Sequence, residues 1–317
     1  MSATYNRNTV LLIVGPTGVG KTSLAIELAK QINGEIISAD SRYLYKGMDI
    51  GTAKPTADQI ASVTHHLIDV AEPDENWSLA RFVEKTLELI DEIHNRKRIP
   101  IISGGTGQYI RALTEGWKIP EFDADQNLRK VLYQWGEEIG TQGLHEKLRV
   151  IDEAAADNID ASNMRRTIRA LEVIFATGKR FSDLRRKDGP AHKYWIIGLS
   201  LEREELYKRV DTRIDQMITQ GLEDEVRTLL TRGYSVDLPA MSAIGYREMI
   251  RFIHKEIDIE TARVLMRRNT RHLVRRQANW FKSSNPEIHW YAVNDNTLDQ
   301  VLNDLSGAGI GIANVQK

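Results

Sequence analysis

The sequence predicts an α/β protein: a parallel sheet flanked by helices, with an all-helical lobe inserted into it. Three observations carry that reading. Short apolar runs alternate with helical patterns in both halves of the chain. A glycine-rich turn joins the first apolar run directly to a helix. The alternation lapses between about Ile119 and Pro190, where only helical periodicity is found, and resumes at KYWIIGLS.

In chain order, Thr9–Val14 reads as the first strand and Lys21–Ile32 as the first helix. Strands follow at Glu35–Ser38, His66–Val70 and Ile99–Ser103. A helix over Ser78–Arg96 puts Leu79, Phe82, Val83, Thr86, Leu87, Ile90 and Ile93 on one face. The lobe, residues 119–189, reads as helices over Asp125–Ile139, Gly143–Val150 and Asn163–Thr177. KIPEFDAD and RRKDGPAHK serve as its connectors, with proline and charge where the chain turns. Residues 1–118 and 190–317 form the core domain. Its second part holds strands Tyr194–Leu199 and Ile288–Ala292, nearly continuous helix over Leu201–Lys282, and a glycine-rich tail, SGAGIGIANVQK, expected to fray.

Composition narrows the function classes. Apolar residues make up 41% of the chain, enough for a buried core. With no cysteine, disulfides, cysteine-ligated zinc and thiol nucleophiles are excluded. No apolar stretch approaches the ~18 residues that span a bilayer, and MSATYNRNT is no signal peptide. A cytoplasmic protein away from membranes is expected. The net charge is −1, yet Thr261 to Lys282 holds six arginines, one lysine and no acid. That asymmetry points to an anionic partner.

GPTGVGKT, with Gly15, Gly20, Lys21 and Thr22, fits the spacing G-x-x-x-x-G-K-[ST], between a strand and a helix. The phosphate cradle comprises Gly15, Pro16, Thr17, Gly18, Val19, Gly20, Lys21 and Thr22. Backbone N–H groups converge there, the helix start adds partial positive charge, Lys21 supplies a full one, and the Thr22 hydroxyl suits Mg2+. The fold expected is therefore P-loop NTPase-like. The motif names a phosphate binder and no reaction. The strand IPIIS ends in Ser103, Gly104 and Gly105 with no acid, whereas EIIS leads to Asp40. Asp40 is either a metal-orienting acid or a base facing a second substrate.

ISGGTGQY repeats the strand–turn–helix logic: an ordinary turn, or a second set of donors around Thr106. Arg263, Arg267, Arg271 and Arg275 recur every four residues, beside Arg268, His272 and Arg276. They form one basic strip, a solvated face or a surface for a phosphate backbone. Trp280 and Phe281 are core plugs or stacking platforms. A second basic cluster, Arg165, Arg166, Arg169, Lys179, Arg180, Arg185, Arg186 and Lys187, lies in the lobe.

Taken together, GPTGVGKT, ISADSRYLYKGMDIGTAKP, HHLIDV, GGTGQYIRAL, NMRRTIRALEV, MSAIGYRE and RRQANWF resemble the tRNA dimethylallyltransferases (isopentenyl-tRNA transferases), from about Val10 to Trp290. DSRYLYKGMDIGTAKP is the most specific of these stretches. The resemblance implies transfer of a dimethylallyl group from dimethylallyl diphosphate to the exocyclic amine of the adenosine 3′-adjacent to the anticodon. It implies Asp40 as general base, Thr106 at the transfer point, and Arg213 with the cradle on the departing pyrophosphate. It implies contacts to the anticodon stem-loop of tRNA from Asp40, Ser41, Arg42, Tyr43 and Thr106. Further contacts are implied from Arg129, Arg165, Arg166, Thr167, Ile168 and Arg169, from Ile244, Gly245, Tyr246 and Arg247, and from Arg275, Arg276, Gln277, Trp280 and Lys282. Mg2+ is the implied cofactor, on Thr22, and a monomer is expected. Tyr43, Gln108 and Ser242 depart from the glutamine, leucine and glutamine usual in the family, so base recognition is where this chain differs. Without cysteine there is no zinc finger of the eukaryotic kind, and a bacterial type is implied. The alternatives are prenylation of free adenine nucleotides, a P-loop small-molecule kinase, and an RNA-binding module switched by ATP.

Overall fold

A computed structural model describes residues 9–119, 125–184 and 189–310. The sheet has six parallel strands: β1 (Thr9–Val14), β2 (Gly34–Ser38), β3 (His65–His66), β4 (Ile99–Ser103), β5 (Lys193–Ser200) and β6 (Ile288–Ala292). Their order is β3-β2-β4-β1-β5-β6. β1 is buried at every position, as its unbroken apolar run TVLLIV requires of a strand covered on both faces. It pairs with β4 on one side and β5 on the other.

The helices are α1 (Lys21–Ile32), α2 (Ala57–Ser62), α3 (Leu79–Asn95), α4 (Gly107–Thr114), α5 (Gln126–Ile151), α6 (Glu153–Asp157), α7 (Met164–Thr177), α8 (Phe181–Leu184), α9 (Arg203–Thr219), α10 (Leu222–Thr231), α11 (Tyr246–Ile253), α12 (Ile259–Trp280) and α13 (Thr297–Gly307). Ser78 caps α3 by accepting the Arg81 N–H. α5 breaks at Gly140, whose φ of 76° no helix carries, so two helical segments meet there.

The chain forms two compact units, residues 1–110 with 191–317 and residues 111–190. In the first, Leu11, Ile13, Leu28 and Ile101 of the sheet and α1 join Leu206, Val210, Val226 and Met266 of the later helices in one core. In the second, Leu132, Leu144, Leu148, Ile168 and Leu171 form a separate core. There Glu172 of α7 is buried and receives Arg129 of α5 at 2.5 Å and Arg169 at 3.5 Å.

One expectation needs correction. The strand over His66–Val70 is reduced to His65–His66, because Leu67 and Asp69 adopt φ of 59° and 55° and leave the extended region. The backbone there pairs instead with the Asp40 loop: Asp69 N–H donates to Tyr43 O at 3.0 Å and Val70 N–H to Leu44 O at 2.9 Å. The helix α13 was not expected. Among the named connectors and basic residues, Arg185, Arg186 and Lys187 lie outside the described residues, as do the end of the tail and parts of both connectors.

Candidate active site at the carboxyl ends of three neighbouring strands

β2, β4 and β1 are adjacent in the sheet, so the loops that follow them lie side by side. These loops carry Asp40, Gly104–Thr106 and the glycine-rich cradle. The carboxyl edge of such a sheet is where α/β proteins bind ligands.

The cradle begins at Gly15, where φ is 144° and a Cβ would meet Leu199 O at 2.6 Å. Only glycine fits that approach. The helix start leaves the first N–H groups of α1 without intrahelical acceptors. Lys21 Nζ donates to Gly15 O at 3.0 Å and Pro16 O at 2.9 Å. Burial pushes its ammonium down to about 8; Asp40 opposes that shift and Arg213 adds to it. Arg213 of α9 and Asp40 of the β2 loop are therefore both in the electrostatic field of Lys21, although 173 residues (213 − 40) separate them in the chain.

Asp40 is half-buried. Its Oδ1 accepts the Arg42 N–H at 2.9 Å, which leaves the other oxygen for a substrate. Thr106 Oγ1 accepts the Ser41 N–H at 3.2 Å, and Thr106 N–H donates to Ala39 O at 3.3 Å. Gly104 lies so close to β2 that a Cβ would stand 2.3 Å from Ala39 O. Asp40 and Thr106 are thus held by one set of backbone contacts.

The long motif DSRYLYKGMDIGTAKP is built of turns and one β-bridge, Tyr45 to Ala71, and side chains hold it in place. Lys54 Nζ, almost fully enclosed, donates to Tyr45 O at 2.6 Å and Asp49 at 2.7 Å, and also pairs with Asp69. Glu225 of α10 accepts the N–H groups of Asp49, Ile50 and Gly51 at 2.9, 2.8 and 3.1 Å. Arg42 ties the same loop to Pro239 O at 2.7 Å. The Tyr43 hydroxyl donates to Ala53 O at 2.8 Å, and burial raises its pKa. Its one donor is already engaged, and its oxygen also shares a hydrogen bond with Thr22.

A small cavity of about 20 Å3, room for roughly one water, lies beside Thr22, Ser38, Tyr43 and Ser103. Mg2+ needs few protein oxygens, because it keeps waters and takes phosphate oxygens. The Thr22 hydroxyl, at the helix start and hydrogen-bonded to Tyr43, is one oxygen that fits that demand.

The basic residues divide by face. Arg263, Arg267 and Arg271 turn toward α9. Arg263 approaches Asp215 at 3.4 Å, and Arg267 reaches it at 2.7 Å. Arg271 pairs with Asp211 at 2.5 Å and lies 5.1 Å from the Tyr207 ring. These three do not belong to an open basic strip: Asp211 and Asp215 of α9 balance them, with Glu260 of α12 also 3.1 Å from Arg263. Arg268, Arg275, Arg276 and Lys282 are exposed. Arg165 and Arg166 of α7 are exposed too.

Four residues expected at an RNA surface have side chains inside the fold. Thr167 and Ile168 belong to the core of the second unit. Tyr246 is fully buried and donates to Glu225 Oε1 at 2.6 Å. Gln277 is buried, on the face of α12 that also buries Met266 and Val274. Gly245, at φ 98°, donates to the buried Glu248, which also receives Arg247 and Asn269. Ile244 is half-buried and Arg247 exposed. Phe281 is core, and Trp280 packs on the second glycine loop, where a Cβ at Gly107 would lie 2.2 Å from its Cγ. The structural acids Glu225 and Glu248 were missed from sequence. Their only signal is an acid at the apolar phase of a helix. Asp211 and Asp215 were missed as well, since they lie on a different helix, 60 and 52 residues before their partners.

A parallel sheet with a glycine-rich loop between its central strand and first helix defines a protein of the P-loop NTPase-like fold. A model of the family described as IPP transferase matches residues 43–284. The tRNA dimethylallyltransferase of Roseiflexus sp. is 46% identical over 273 residues, 86% of this chain and 90% of that protein. That of Thermomicrobium roseum is 43% identical over 287 residues, 90% and 87%. The crystal structure of the full-length tRNA isopentenylpyrophosphate transferase from Bacillus halodurans is 40% identical, with a TM-score of 0.71 over 95% of this chain and 97% of that one. This chain belongs to the IPP transferase family. Among the described residues, no helix is long and apolar enough to cross a membrane.

Proposed function

We propose that this chain transfers a dimethylallyl group from dimethylallyl diphosphate to the exocyclic amine of the adenosine 3′-adjacent to the anticodon of tRNA, acting as a cytoplasmic monomer. The observation that carries the reading is the juxtaposition of a phosphate cradle, a carboxylate and a threonine hydroxyl at the ends of three neighbouring strands. In a kinase the cradle would hold a triphosphate beside a small acceptor. Here family membership supports a prenyl diphosphate as its cargo.

Lys21 exchanges the Gly15 and Pro16 carbonyls for diphosphate oxygens. With Arg213 and the N-terminal amides of α1, it stabilises the charge that develops as the allylic C–O bond breaks and its electron pair leaves with pyrophosphate. Mg2+ on Thr22 supplies further neutralisation of that charge when bound. The base swings out of the anticodon stack at a cost of a few kcal/mol. Its amine nitrogen forms the new bond to carbon, and the free oxygen of Asp40 takes the proton the amine loses. Thr106, through the Ser41 N–H, keeps the Asp40 loop against the second glycine turn. The exposed Arg165 and Arg166, and Arg275, Arg276 and Lys282, are the cations available to the RNA backbone.

The test supplies labelled dimethylallyl diphosphate and Mg2+ with unmodified tRNA or AMP as acceptor, and ATP with small metabolites in a third reaction. Label in tRNA alone is expected. Label in AMP, or phosphorylated small molecules with ATP, would replace the reading with nucleotide prenylation or kinase activity.

A further inference from the structure

α12 carries exposed arginines at 275 and 276, and the next residue turns inward. The carboxamide of Gln277 sits between the two glycine loops. Its Oε1 accepts the Thr17 N–H at 2.8 Å, and its Nε2 donates to Gly105 O at 3.0 Å. The residue is only 6% exposed. A Cβ at Gly105 would fall 2.2 Å from Nε2 and 3.7 Å from Lys21 Nζ, so the contact is both tight and next to the cradle lysine. Trp280, one helical turn on, packs against Gly107 of the same second loop. A carboxamide accepts at one end and donates at the other, as these two backbone groups demand. Methionine matches its volume but leaves the buried Gly105 carbonyl and the half-buried Thr17 N–H without this partner.

From this geometry we infer that Gln277 is a positioning residue for the transfer reaction, a clamp that fixes the spacing between the phosphate cradle and the Thr106 loop. This rests on the prenyl-transfer reading. The donor's diphosphate lies on one side of that spacing and the acceptor amine on the other, so the clamp sets the distance across which the new bond forms. The amide does not contact RNA, although its neighbours on the helix face outward. Because Thr17 N–H is held by Gln277, the phosphate-binding amides are those further along, at the start of α1. A misplacement of about 1 Å between reacting groups is enough to lower rate by two orders of magnitude.

The experiment compares the wild-type chain with Gln277→Met and Gly105→Ala. The alanine methyl displaces the carboxamide without removing it, and so tests the same contact if the methionine variant does not fold. Affinities for inorganic pyrophosphate with Mg2+ and for unmodified tRNA, melting temperature, and kcat and KM for transfer are measured for each. The expected result is a fall of about tenfold or more in pyrophosphate affinity or kcat, with tRNA Kd within about twofold of wild type. A weakened tRNA Kd with donor binding and kcat unchanged would overturn the clamp and make Gln277 an RNA contact. Unchanged values throughout would overturn it as well. If wild-type protein binds pyrophosphate but labels no tRNA, the prenyl-transfer reading fails; a loss of pyrophosphate affinity in both variants then still upholds the clamp.

Discussion

One guanidinium nitrogen of Arg267 reaches both carboxylate oxygens of Asp215 at 2.7 Å. With the Arg271–Asp211 pair at 2.5 Å it fastens α12 to α9. The helix that looked like an uninterrupted basic strip therefore has an inner row of compensated charge and an outer row facing solvent. Half-exposed pairs of this kind contribute about 1 kcal/mol or less each, so their role is alignment more than stability.

The two rows should separate in RNA binding. Arg275→Ala with Arg276→Ala is expected to weaken tRNA binding and to reduce the slope of log K against log salt by nearly 2. Arg267→Ala with Arg271→Ala should leave that slope near wild type and lower the melting temperature by a few degrees. Equal slopes in the two double variants would reject the division.

Lys21 gives a pH signature with a definite sign. Burial holds its pKa down at about 8, so raising pH past 8 removes the proton that a diphosphate needs. Inorganic pyrophosphate affinity should fall about tenfold per pH unit above 8. Lys21→Arg, charged throughout that range, should bind with a flat profile between pH 7 and 9.5. A parallel decline in the arginine variant would show that another group titrates.

Asp40→Asn keeps an oxygen for the Arg42 N–H but has no basic oxygen to take a proton. Turnover is expected to drop by 10²–10⁴, the usual range for a general base, with tRNA Kd unchanged. Single-turnover transfer and a filter-binding titration on the same preparation would measure both. Thr106→Val, which removes the acceptor of the Ser41 N–H, should lower kcat in the same sense but less.

Glu35 at the start of β2 governs acid stability. Burial alone would raise its pKa, but hydrogen bonds from Arg96 and His66 and their charge win, and bring it to about 2. Folded-state depression means the stabilisation is full above about 4.5 and disappears as pH falls toward 2. Glu35→Gln should melt roughly 5 °C below wild type at pH 6, with the gap narrowing as pH falls from about 4.5 toward 2. A gap that stays undiminished down to about pH 2 would mean that packing, not charge, is what the glutamate provides.

Sequence determined the elements whose signals are local. An unbroken apolar run gives a central strand, Ser78 begins α3, and Gly15, Gly20, Lys21 and Thr22 define the cradle, because each needs only neighbours within a few residues. It failed at β3, where Leu67 and Asp69 take left-handed φ under contacts from a loop more than twenty residues away. Tertiary structure alone decided which arginines of α12 pair with acids of α9, since Asp211 and Asp215 lie more than fifty residues earlier. It alone decided that the motif around Lys54 is scaffolding for Asp40, and that Gln277 joins two glycine loops. The physical reason is common to all three. A side chain's charge or amide has no fixed role until packing selects its partner, and burial then makes that partner obligatory.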